Sequence, residues 1–236
     1  MNLDDMNRET NAYFEDGNRE LVVRKTMLGV YGWMCVALLI TAITGLFVAS
    51  NISLLRTVTR AYWVFAIAEI IVVIWLSAKA HKMRTGAARF WFVVYSILNG
   101  ITLSAIFIAY EIGTISYAFF VTAGVFAVMT IYGYVTQTDL SKIGSLFVMG
   151  LFGLILASVV GIFMRSEAYN MALMYIGVVI FVGLIGYDTQ KIKQIAYAQA
   201  NAKNGIANAS ILGALTLYLD FINIFIRLLR IMGSKD

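Results

Sequence analysis

The chain has 236 residues, 61% of them hydrophobic, and a formal net charge of +5, with a mean hydropathy of +0.81. Soluble domains carry about 45–50% apolar residues, so the composition excludes an ordinary soluble domain, and with it the nucleic-acid reading that a basic chain would otherwise invite. One cysteine, Cys35, and one histidine, His81, leave no intrachain disulfide, no cysteine-based metal site and no HExxH motif.

Residues 1–26 (MNLDDMNRETNAYFEDGNRELVVRKT) hold six acidic and four basic residues and no apolar stretch before a cleavage site. They read as a solvated tail, with no signal peptide. Seven apolar segments follow, at about 27–50, 61–79, 90–110, 115–136, 144–164, 171–190 and 208–231, each near the ~20 residues that cross a bilayer as a helix. This predicts an all-α polytopic membrane protein, with one seven-helix domain over 27–232 and a short tail at 233–236. The chain contains no proline, which argues for continuous helices and against transporters built from broken ones.

Polar residues inside these spans are few, which makes each informative. Span 2 carries Glu69 in VFAIAEIIVVIW, read either as part of an ion path or as a hydrogen bond to a neighbouring helix. Span 3 holds Asn99 and places Ser96, Gly100 and Ser104 on one face; span 5 does the same with Gly153, Ala157 and Gly161. Small residues four apart let helix backbones approach closely. Asp139, in TQTDLSKIG, reads as the cap at the start of span 5. Tyr187, Tyr218 and the tryptophans read as packing and interface anchors. Asp188 lies near the end of span 6, and Asp220, with Asn223, lies within span 7.

A charged side chain mid-bilayer costs at least ~2.5–3.5 kcal/mol, so Asp220 calls for a partner. Asp188 precedes the turn-like Asn204-Gly205 by 16 residues and Asp220 follows Asn204 by 16. An antiparallel hairpin turning there sets both carboxylates at one height, ~24 Å from the turn at 1.5 Å per residue. If they face each other they cannot both ionise cheaply, and they would share a proton whose exchange follows the pH of the cytoplasm. The alternative is that each caps, snorkels or pairs with Lys191 or Arg227. Together with Glu69, and with Asn99, Asn223 or Thr189 as further oxygen donors, the pair could offer a transient path to Ca²⁺, which takes six to eight oxygens.

The Lys and Arg distribution sets the orientation. With seven spans, twelve fall on the N-terminal side (four in the tail, then Lys79, Lys82, Arg84, Arg89, Lys142, Lys191, Lys193 and Lys203). Six (Arg56, Arg60, Arg165, Arg227, Arg230 and Lys235) fall on the other. A cytoplasmic N-terminus follows. A re-entrant last segment would return the basic C-terminal end to the cytoplasm, but its length favours crossing.

GYDTQKI (186–192) and LYLDFINIFIRLLRI (217–231) resemble the paired signatures of the Bax inhibitor family, and of its bacterial members most closely. NGITLSAI (99–106), the Glu of span 2 and TDLSKIGSLFVMGLFGLI (138–155) are similar too. The resemblance implies a last helix surrounded by the other six and a pH-dependent calcium leak gated by Asp188 and Asp220. It also implies a basic latch, often Arg, at the end of the second helix. No Arg stands at the corresponding place near Ala80, and Lys79 is the substitute, with His81 and Lys82 beside it.

Three further readings compete with the leak. An intramembrane aspartyl protease would suit a shared-proton dyad, but those enzymes carry Gly-x-Gly-Asp where this chain has Leu217-Tyr218-Leu219-Asp220, and they need a proline-bearing segment. No enzyme is therefore expected, and no tightly bound cofactor. A regulatory protein that modulates a membrane protease or another channel would use the acidic tail. A proton-coupled exchanger would require a proton gradient for calcium movement. The partners expected are the bilayer, Ca²⁺ and H⁺.

Overall fold

The computed structural model describes residues 3–80, 83–164, 166–198 and 205–233, and every regular element among them is a helix. α1 (Leu3–Ser50), α2 (Ile52–Arg60), α3 (Tyr62–Lys79), α4 (Thr85–Leu103), α5 (Ile106–Ala109), α6 (Ile112–Val135), α7 (Ser141–Met164), α8 (Glu167–Ala198) and α9 (Gly205–Gly233) follow in order. Seven stretches are long and apolar enough to cross a membrane: Arg19–Ser50, Tyr62–Lys79, Thr85–Ala109, Ile112–Val135, Ser141–Met164, Glu167–Ala198 and Ala207–Gly233. They match the seven segments read from the sequence, with the ends of several helices reaching further. The side where α1 begins is called the near face below, and the opposite side the far face. Successive spans alternate, so α9 runs from near to far.

The spans differ sharply in burial. In α9 72% of the apolar window is buried, against 11% in α7 and 6% in α3. α9 packs chiefly on α1, α4, α6 and α8, while α3 leans on α4 and α7 on α8. Leu215, Leu217, Tyr218 and Ile224 of α9 are almost wholly enclosed. Lipid gives apolar side chains no reason to leave it, so close packing and polar contacts must hold these helices together. Gly100 illustrates the packing: a Cβ there would lie 2.6 Å from the Thr41 carbonyl oxygen of α1. Ser96 and Ser104 are buried on the same face of span 3, and the Thr41 hydroxyl bonds to the Ser96 carbonyl at 3.0 Å.

Three details depart from expectation. α1 does not begin at residue 27 but at Leu3, and Val23 and Thr26 are buried. Leu21-Val22-Val23 continues the apolar face, and the Arg19 guanidinium lies 5.3 Å from the centre of the Tyr197 ring of α8. Span 3 is not continuous, because α4 ends at Leu103 and α5 begins at Ile106. Both the Ser104 amide, at 3.2 Å, and its hydroxyl, at 2.7 Å, bond to the Ile101 carbonyl. A serine offers the backbone this local alternative to the helix ladder, so no proline is needed for the break. Finally, Gly153 is exposed, with open space where a Cβ would be. The rest of the expected face does meet α8: Gly161 lies against Tyr169 and Asn170, and the Ala157 carbonyl accepts from the Tyr169 hydroxyl at 2.9 Å, with Gly144, Gly150 and Leu154 completing the packed side of α7 in place of Gly153. The turn at Asn204 lies outside the described residues, as do His81, Lys82, Arg165, Lys203 and Lys235.

Candidate functional site

α8 has 32 residues, about 48 Å at 1.5 Å per residue, longer than a bilayer core needs. Its polar last turns carry Asp188 well inside the bundle, and the antiparallel α9 brings Asp220 to the same level. The two carboxylates lie within hydrogen-bonding reach of each other, so the expected juxtaposition is present. Asp220 is 5% exposed, and its Oδ2 closes no hydrogen bond with another protein group. Lys191, one turn along α8, is the cation that acts on Asp188, and its ammonium sits 5.5 Å from the Tyr187 ring centre. Two like charges in so dry a place are costly, whereas a single proton between them satisfies both groups.

Arg227, two turns beyond Asp220, also faces α8, but it does not pair with either carboxylate. Its guanidinium lies 5.3 Å from the Phe181 ring centre, and Nη1 donates to the Leu173 carbonyl at 3.4 Å. Gly177 forms the seat, since a Cβ there would collide with the guanidinium. Nε remains buried without a protein partner. Spacing could have revealed this seat: Asp220 and Arg227 are seven apart, hence on one helix face.

Glu69 stands apart from the pair. Its carboxylate accepts from Thr102 at 2.8 Å, from Tyr95 at 3.4 Å and from the Asn99 amide, all on α4. These three neutral donors solvate a half-buried carboxylate in place, which is the interhelical hydrogen-bond reading. Asn99 thus serves Glu69, and Asn223 turns back to donate to the Leu219 carbonyl of its own helix at 2.9 Å. Lys79 is exposed in the last turn of α3. Among the described residues no three His, Cys, Asp or Glu side chains converge, so the three intramembrane carboxylates do not form one cation cage. A cavity of about 380 Å³, lined by Tyr62, Thr102, Tyr110 and Arg230, lies toward the far face on the Glu69 side.

Two further polar features had no sequence signal beyond isolated hydroxyls. Tyr218, read with Tyr187 and the tryptophans as a packing or interface anchor, is wholly buried and so serves packing. Its hydroxyl and that of Thr41 share a 2.6 Å hydrogen bond, and its ring meets Phe92 and Tyr95 edge to face. The hydroxyls of Tyr31, Thr130 and Thr189, the last of these adjacent to Asp188 in sequence, converge from α1, α6 and α8 without closing hydrogen bonds to protein partners. At the surface, Asp139 accepts from the Ser141 amide at 2.9 Å at the entry to α7, the capping role expected. Bonds from Ser141 hold its carboxylate below the usual range.

A family model described as "Inhibitor of apoptosis-promoting Bax1" matches residues 23–236. The inner membrane protein YbhL of Escherichia coli K12 is 45% identical over 213 residues, covering 89% of this chain and 91% of that protein. RP147, an uncharacterized protein of Rickettsia prowazekii, is 39% identical over 229 residues, covering 95% and 94%. An uncharacterized protein of Borreliella burgdorferi is 37% identical over 221 residues, covering 91% and 94%. With seven apolar crossings and a match over nearly its whole length, the chain is a multi-pass membrane protein that belongs to the Bax inhibitor family.

Proposed function

We propose that the protein is a pH-gated calcium leak of the bacterial inner membrane, with a cytoplasmic near face and Asp188 with Asp220 as the sensor. One observation carries the reading: two carboxylates meet across the α8–α9 seam inside the bundle, one of them 5% exposed. A shared proton joins the helices there and keeps the path closed. As pH rises and that proton leaves, two negative charges face each other in a poorly solvated seam, and their repulsion biases the bundle toward an open state. The freed oxygens then offer a passing Ca²⁺ hard ligands of the kind it prefers. Glu69, held by α4, serves as a carboxylate station nearer the far face, and Lys79 or its neighbours as the latch. The role is transport, not catalysis, with Ca²⁺ as cargo and H⁺ as signal.

Calcium uptake into proteoliposomes across roughly pH 6 to 8 tests the reading. Uptake should rise with pH in the native protein and lose its pH dependence in Asp188→Asn and Asp220→Asn, without any need for a proton gradient. Uptake equal to that of empty liposomes at every pH would sink it, in favour of a protein that regulates another membrane component.

A further inference from the structure

α1 and α6 scarcely touch, and in the far half of the gap between them lies a cavity of about 360 Å³. Its walls come from α1 (Leu46), the broken span 3 (Leu103, Phe107), α6 (Phe119) and α9 (Phe221, Phe225). Each of these segments is membrane-spanning. The rim residues Leu46 and Phe120 are 49% and 72% exposed, so the mouth opens sideways, continuous with the lipid-facing surface. Here α9, otherwise screened by its neighbours, is reached from the bilayer.

The chemistry of the wall selects the occupant. It is almost entirely carbon, and the one buried hydroxyl, that of Thr41, is already engaged with Tyr218 and the Ser96 carbonyl. Beyond the Ser116 hydroxyl at the rim, a polar ligand or an ion would find little to bond. Phe119 meets Phe221 at 5.5 Å and Phe225 at 6.4 Å, both edge to face, and this stiffens the back wall. At ~30 Å³ per water-sized unit, the volume suits about a dozen methylenes in a row. Above the cavity, α1 ends at Ser50 and α2 begins at once, held by the Asn51 side chain on the Ser53 and Leu54 amides. α2 sets Arg56 and Arg60, both exposed, at the same end of the bundle, where the phosphate of a lipid would lie.

We infer that this cavity lodges one acyl chain of an anionic phospholipid from the far leaflet, its headgroup held by Arg56 and Arg60. The lipid would touch Phe221, the residue after Asp220, giving the bilayer direct contact with the helix that carries the buried carboxylate.

The test is photolabelling of the full-length protein in nanodiscs with a phosphatidylglycerol that carries a diazirine in one chain, mapped by peptide mass spectrometry. Adducts at Phe119, Phe221 and Phe225 should exceed those at the lipid-facing Phe152 and Phe163 of α7 roughly tenfold, equivalent to about 1.4 kcal/mol of preference. Ala42→Trp and Ser116→Trp, each filling the cavity from its rim, should abolish the excess while leaving the α7 labelling and the melting profile unchanged. Equal labelling of cavity and α7, or an excess that survives in a filled variant, would overturn the inference. An excess that survives Arg56→Gln with Arg60→Gln would overturn the phospholipid assignment, because a headgroup-independent alkyl chain would then be the occupant. The excess in the native protein needs no variant, so a misfolded substitution leaves the inference testable.

Discussion

Asp220 and Arg227 sit on one face of α9, two turns apart, and both look at α8, yet the seam is held differently at the two places. At Asp220 the opposing group is another carboxylate, and on the proposed reading the contact depends on a proton that the solution can add or remove. At Arg227 the opposing groups are the ring of Phe181, the carbonyl of Leu173 and the empty place that Gly177 leaves. None of these titrates near neutrality, and a guanidinium keeps its charge throughout that range. On that reading one seam combines a conditional contact with a permanent one. Helices joined in this way would hinge at their far end and move at their carboxylates.

The largest effect should come from breaking the permanent contact. Gly177→Leu puts a side chain where the guanidinium lies, and overpacking of this kind costs about 1–3 kcal/mol. Thermal unfolding in detergent should show that loss equally at every pH, since no titrating group is disturbed. A loss that varied with pH would mean that the two parts of the seam are one unit. The smallest effect is expected at the surface, from Asp139→Ala. That carboxylate is held below the usual range by Ser141, so what it contributes is present above the ordinary carboxylate range and is lost as the solution turns acid. On the proposed reading the Asp188–Asp220 contact has the opposite sign and weakens as pH rises. Native and Asp139→Ala proteins should therefore differ slightly in melting temperature at neutral pH and converge in acid, with the response of the seam unchanged. A shifted seam response would place part of the sensing at the α7 entry, where the Leu140 amide bonds to Gln190 of α8 at 2.9 Å.

The seven crossings were legible in the sequence because hydrocarbon leaves a helix no choice but a long apolar run. The Asp pair was legible for a related reason: equal spacing about a turn fixes height in an antiparallel hairpin, and a buried charge demands a partner. Rotation about the helix axis was not legible from height, which is why Gly153 turned out to face outward and why Glu69 stayed open between an ion path and the hydrogen bonds to α4 that it makes. The break at Ser104 was hidden because its cause is a serine bonding to its own backbone, a choice made by tertiary context. Tyr218 gave no sign of its buried bond to Thr41, since tyrosine in a membrane span reads equally well as an interface residue.

The most direct test is a pair of distances across the seam, measured by spin labels in a background with Cys35→Ala. One pair of labels, at Ile195 and Ala207, brackets the near end of α8 and α9, and the other, at Ala172 and Met232, brackets the far end. From roughly pH 6 to 8 the near distance should lengthen while the far distance holds, and Asp220→Asn should abolish the change. Two distances that stay constant over that range, or that lengthen together, would contradict a seam that opens at its carboxylates and stays closed at Arg227.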